Sequence, residues 1–127
     1  MRMRTCLALS LCLLACAGCG KKKSTDQLLE DLKSPEERDR LIAVRLLPER
    51  KEDAERVIPA LIEALKDREN DIRLSAAIGL GTFGEQAKEA VPALQQIAKS
   101  DRDGRVRRAA ATAVSRIDPN AAPAKQG

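Results

Sequence analysis

Four sets of residues in this chain have the types and spacing for chemistry. The first is Cys6, Cys12, Cys16 and Cys19, its only thiols, all within the first 19 residues. Thiols act as nucleophiles, metal ligands or acylation sites. The second is Glu63, Asp67, Glu69 and Asp71, which straddle one segment and its turn. Clustered carboxylates can do acid–base work, but they need a dry cleft to shift their pKa values. The third is Gly79-Leu80-Gly81-Thr82-Phe83-Gly84, which spells a phosphate-loop pattern. It follows an expected helix rather than a strand, so the backbone N–H cradle that gives the pattern its meaning is missing. The fourth is Arg40, Arg73 and Arg107, which recur at one position of a repeating pattern. An arginine fork suits a carboxylate or a phosphate. No His, Tyr or Trp accompanies these sets, so the commonest acid–base group and metal ligand is absent. The expectation is a protein that is not an enzyme, with no cofactor and no metal.

The segments that carry these residues repeat. Leu28, Leu61 and Leu94 stand 33 residues apart, as do Leu32, Leu65 and Ala98, and Lys33, Lys66 and Lys99. A fixed period of this size marks a stacked-repeat fold, which builds extended binding surfaces rather than buried clefts. Ser24-Thr25-Asp26-Gln27 fits a capping box ahead of Leu28, Leu29 and Leu32. Ser34-Pro35-Glu36-Glu37 reads as a second box, opening a helix that runs to about Leu47. The next pair begins near Ala54, turns at 68–70 and continues from Asp71 to Leu80, where Gly81 and Gly84 permit a helix end. The last pair restarts at Ala90, turns at 100–104 and continues from Arg105. Its second helix is offset by 34 residues, which assigns one extra residue, Gly104, to the turn. Small residues at Ala76-Ala77 and Ala110-Ala111 allow close helix packing. The tail, 118–127, has no periodicity and is expected to be disordered.

The N-terminus has another composition. Arg2 and Arg4 precede an apolar run, 5–15, that is too short to span a bilayer comfortably and has the length of a signal-peptide core. Leu13-Leu14-Ala15-Cys16-Ala17-Gly18-Cys19 resembles the lipobox of bacterial lipoproteins, in which the cysteine is acylated and becomes the mature N-terminus. Cys16 has the favoured leucine three residues before it. Cys19 has the favoured Ala-Gly immediately before it and is the alternative. The resemblance implies a signal peptide over 1–15, a lipidated, lysine-rich tether over 16–23 and a protein in the bacterial cell envelope, facing the periplasm or the exterior. Lys21, Lys22 and Lys23 either rest on anionic headgroups or keep the tether solvated. Without Arg2, Arg4 and these lysines, 18 basic residues face 19 acidic ones, which argues against nucleic acid as a partner.

The repeats themselves resemble HEAT repeats, in the short subclass also seen in phycobilisome-lyase HEAT-like proteins. Pro59-Ala60-Leu61, Asp67, Ile72-Arg73, Ala76-Ala77 and Leu80-Gly81 carry the pattern, as do Pro92-Ala93-Leu94, Val106-Arg107, Ala110-Ala111 and Val114. The first repeat is degenerate, as a capping repeat is. The resemblance implies an all-α, right-handed α-solenoid of about three helical hairpins over residues 24–117. It also implies that Arg40, Arg73 and Arg107 staple aspartates, with Asp67 and Asp101 or Asp103 available, rather than form a phosphate ladder. In such repeats the second helix of each pair lines the concave face where partner proteins dock. By position, that gives the rows Arg38, Asp71, Arg105; Leu41, Leu74, Arg108; and Arg45, Ile78, Thr112. Arg45, Leu74, Ile78, Arg105 and Arg108 are therefore the candidate partner-binding residues. Leu74 and Ile78 are either apolar anchors or simply core. Arg105, Arg108, Thr112 and Arg116 share one face of the last helix, which is either solvated or presented to an acidic partner or lipid. The expected function is a membrane-anchored interaction module; the alternative is an accessory subunit of an enzyme.

Overall fold

The computed structural model describes residues 22–121. The expected signal peptide, Cys16, Cys19, Lys21 and residues 122–127 lie outside that range. Six α-helices form three antiparallel hairpins: α1 (Thr25–Asp31) with α2 (Glu37–Leu46), α3 (Ala54–Ala64) with α4 (Asn70–Gly81), and α5 (Val91–Ser100) with α6 (Gly104–Ile117). Short 3₁₀ segments, Leu47–Glu49, Lys51–Asp53 and Gly84–Ala90, join the hairpins. No strand occurs among the described residues. The expected α-solenoid of three hairpins is the fold.

The second helices make one layer, with α4 packed between α2 and α6. The first helices lie behind it, and the 3₁₀ segments pack against helices of both layers. The core is aliphatic: Leu28, Leu47, Leu61, Leu65, Ile72, Leu80, Leu94 and Ile117 are essentially inaccessible. With so few bulky side chains, close approach replaces volume. Ala76, Ala77 and Ala110 are fully buried, and a Cβ at Gly79 would sit 2.6 Å from Pro48 Cγ. At Gly81 it would meet the Ala113 backbone at 3.2 Å. Gly81 thus spaces α4 from α6, and Gly79 spaces α4 from the 3₁₀ segment that follows α2. Among the described glycines, Gly84 alone, at φ 55°, uses the left-handed region, where the chain leaves the α4 hairpin. Lys51 Nζ secures that exit: it donates to Thr82 O and Oγ1 at 2.8 Å each and lies 3.8 Å from the Phe83 ring centroid.

The helix starts divide into one success and one correction. The Ser24–Gln27 box forms, with Gln27 N–H donating to Ser24 Oγ at 3.2 Å and Ser24 N–H to Gln27 Oε1 at 3.0 Å. The Ser34–Glu37 box does not. Helix α2 starts at Glu37, and its N-cap, Glu36, makes no side-chain cap. Ser34 Oγ instead accepts from Glu36 N–H at 3.1 Å and donates to Asp39 at 3.1 Å. The reason is a turn chemistry shared by all three hairpins. Glu69 N–H donates to Asp67 Oδ1 at 3.0 Å, and Asp103 N–H to Asp101 Oδ1 at 2.9 Å. Each is a side-chain-mediated turn that holds the chain extended before the second helix.

Two further expectations are corrected. The extra residue is not Gly104, because each hairpin has the same spacing from its turn residue (Ser34, Asp67, Asp101) to the start of its second helix. It lies at the end of α5. In the first two hairpins the helix closes with 3₁₀-type bonds, Lys33 N–H to Glu30 O and Lys66 N–H to Glu63 O. In the third, α5 continues to Ser100, and Asp101 N–H reaches Ile97 O at 3.0 Å. The second concerns residues 118–121, which belong to the stretch expected to be disordered. Residues 118–121 form a turn, with Asn120 N–H on Asp118 Oδ1, and Gln95 Nε2 donates to Ala121 O at 3.0 Å.

Candidate partner-binding face

The recurring arginines resolve first, because their role decides what is left for binding. Arg40 Nε donates to Asp67 Oδ2 at 2.8 Å and Nη2 to Oδ1 at 3.3 Å. Arg73 makes the same fork with Asp101, at 2.8 and 3.0 Å. Each arginine also uses Nη1 to hold two carbonyls of its own turn: Ser34 and Pro35 for Arg40, Asp67 and Arg68 for Arg73. One guanidinium therefore ties a turn to the helix that follows and to the next hairpin. Arg73 and Asp101 are nearly buried, at 6% and 4% side-chain exposure. Arg40 and Asp67 are a little more open. The aspartate chosen is Asp101; Asp103 caps α6 by accepting from Arg105 N–H. Arg107 departs from the pattern. Its Nη1 holds Asp101 O and Arg102 O, but the residue is exposed and pairs with no carboxylate among the described residues.

These pairs make stability depend on acid. The Arg73 fork holds the Asp101 carboxyl below its usual range, against the opposing effect of burial. For Asp67 burial pushes upward, but the Arg40 fork and the Glu69 N–H outweigh it, and the net direction is down. Asp103, bonded by Arg105, is lowered to about 2. A carboxylate depressed by folding stabilises the fold above its unfolded pKa, about 3.9, and loses that contribution as pH falls through the folded value. The melting temperature should therefore hold steady near neutrality and drop as pH falls from about 4 toward 2. A circular dichroism melt at each pH checks this. Asp101→Asn should flatten that acid limb while lowering the plateau.

With the ladder assigned to structure, the outer face of the α2–α4–α6 layer remains. In α4 the stripe Ile72, Ala76, Ala77, Leu80 is buried, Leu74 is half-buried, and Ile78 is 51% exposed. A groove of about 420 Å³ between α2 and α4 is lined by Arg45, Pro48, Leu74, Ile78, Gly79 and Thr82, among others. A second groove, of about 330 Å³ between α4 and α6, is lined by Ala77, Ile78, Gly81, Ala109, Thr112 and Arg116, with Ala113 beneath. Ile78 is thus an apolar ridge with a groove on each side. The glycine and alanine spacers that let the helices approach also form the groove floors.

Of the candidate residues, Arg45, Leu74 and Ile78 come together in the first groove, and Thr112 joins Ile78 in the second. Arg105 stands at the far end of the face, where its Nη2 donates to Asp71 at 3.2 Å and to Asp103 at 2.9 Å. Arg108 is exposed on α6 and lines neither groove. Leu41 is half-buried and packs against the core, so it does not serve as a surface anchor. One residue escaped the row assignment. Ile42, 37% exposed, lies on the outer side of α2 with Arg38 and Arg45. Its signal was present as the i, i+4, i+7 spacing of those three positions.

No group of three or more His, Cys, Asp or Glu among the described residues is arranged to hold a metal ion. No described helix is long and apolar enough to cross a membrane. No curated protein matches the chain in sequence. The family model for HEAT repeats matches residues 25–115. That span runs from the first turn of α1 almost to the end of α6 and takes in both arginine–aspartate staples, so the chain belongs to the HEAT-repeat family.

Proposed function

We propose that this protein is a membrane-anchored scaffold of the bacterial cell envelope that captures another protein on the outer face of α2, α4 and α6. The observation that carries the reading is Ile78, a half-exposed β-branched side chain between two grooves with alanine and glycine floors. An apolar centre within a charged rim is the usual make-up of a protein interface. The proposal includes no catalysis and no cofactor. The carboxylates that could serve as acid–base groups are spent on turns and staples or lie in solvent. The accessory role beside an enzyme of the phycobilin-lyase kind stays the second reading. Visible absorbance of the purified protein would favour it.

The anchor in this proposal is a lipid on Cys16, or on Cys19, facing the periplasm or the exterior. Changing both cysteines to serine should move the protein from the membrane fraction to the soluble one and abolish processing by the lipoprotein peptidase. A double variant that is still cleaved and still sediments with membranes would overturn the anchor.

A further inference from the structure

We propose that the partner segment is an acidic peptide stretch that places two apolar side chains astride Ile78; this rests on the scaffold reading above and adds the chemistry of the ligand. Four of the 23 basic residues, Arg2, Arg4, Lys21 and Lys125, lie outside 22–121, which leaves the described body with 19 basic and 19 acidic side chains. A basic surface on a neutral body is a matter of placement, not of composition. Arg38 and Arg45 on α2, and Arg108 and Arg116 on α6, make no hydrogen bond or ion pair among the described residues. Every other arginine of the described chain has a partner: a carboxylate for Arg40, Arg56, Arg68, Arg73 and Arg105, and backbone carbonyls for Arg50, Arg102 and Arg107. The four unpaired forks therefore all sit on this one layer.

The apolar exposure coincides with them. Ile42 and Ile78 are the two large hydrophobics exposed among the described residues, and both belong to the same layer. Arginine forks recognise carboxylates bidentately, and they lose less freedom per bond than lysines do. The layer is not uniformly cationic: Glu37 on α2 and Asp71 on α4 are exposed as well. Those carboxylates oppose a continuous anionic sheet such as a lipid surface. A narrow peptide can pass between them.

Geometry sets the spacing. Packed helices lie about 8–10 Å apart, so the grooves on either side of α4 are separated by about that distance. An extended chain in the polyproline II conformation returns to the same side every three residues, or about 9 Å. Two apolar residues three apart thus enter the two grooves, and carboxylates outside them meet Arg45 and Arg116, which line those grooves.

The test is fluorescence anisotropy on the full-length protein in detergent, with labelled ten-residue peptides. The probe has two leucines three apart between paired glutamates. Controls replace the leucines by alanine, the glutamates by lysine, or place the leucines side by side. The leucine–glutamate peptide should bind at least tenfold tighter than each control and weaken with added salt. Ile78→Asp, and Arg45→Glu with Arg116→Glu, should each lower its affinity at least tenfold while the circular dichroism spectrum and melt stay those of the parent. Equal binding of the lysine or alanine peptide would overturn the proposal, as would binding indifferent to both variants. Face-dependent binding of phosphatidylglycerol vesicles in place of the peptide would overturn it in favour of a membrane surface. A photo-cross-linker at position 78 separates the two levels of the argument. Cross-links to a protein through a segment without acidic residues sink the ligand chemistry alone, whereas no protein cross-link sinks the scaffold reading with it.

Discussion

Arg73→Ala should cost about 3–5 kcal/mol of stability, the penalty for leaving one member of a buried ion pair without its partner. The loss has two parts. Asp101 keeps its carboxylate at 4% exposure with no cation beside it. The carbonyls of Asp67 and Arg68 lose the Nη1 donor that ties the 68–70 turn to α4. For a body of about this size, each kcal/mol moves the melting temperature by about 4–8 °C, so a drop of at least about 12 °C is expected. Arg107→Ala is the internal control. The same residue type at the same repeat position is exposed and holds only backbone carbonyls, so its removal should cost about 1 kcal/mol. Thermal melts of both variants decide the matter. Equal losses would mean that the carboxylate fork contributes nothing beyond the turn.

Ile78→Asp should do the reverse. Half of the side chain is already in water, and aspartate and isoleucine have similar helix propensities, so folding should be nearly unchanged. Partner binding should fall by more than about 2 kcal/mol, or roughly thirtyfold, because a charge would replace the apolar centre of the interface. Leu74→Asp is a less clean probe. Leu74 is half-buried, so part of any effect would come from stability. If Ile78→Asp unfolds the protein, the residue belongs to the core and the face has been misassigned.

Much of this organisation was legible in the sequence, for a physical reason. A repeat that cannot bury its apolar stripe alone must stack, so the 33-residue recurrence of leucines already specified hairpins. The arginine staples were legible as a residue type in register with an aspartate, but not the choice between Asp101 and Asp103. That choice depends on which carboxylate the turn leaves facing α4. The Ser34 box failed because its letters suit two structures. The serine side chain bonds Glu36 N–H within the turn, and Arg40 holds the turn carbonyls, so the helix starts two residues later than the letters imply. The extra residue was misplaced because glycine in a turn attracts an insertion, whereas one more residue of α5 leaves no compositional trace. On the candidate face, the row assignment took Leu41 and passed over Ile42, although the spacing of Arg38, Ile42 and Arg45 put Ile42 on their side of the helix. Both are apolar neighbours on α2; Leu41 packs against the core and Ile42 turns outward.

The central claim is that α2, α4 and α6 present the docking face while the arginine ladder holds the repeats together. The most direct test is site-specific photo-cross-linking in intact cells. The photoreactive residue is placed at Ile78 in one strain and at the exposed Glu63, on α3, in another. A discrete cross-linked protein product from position 78, absent from position 63, is the predicted result. A product from position 63 alone, or none from position 78 in cells where the protein is folded and membrane-bound, would contradict it.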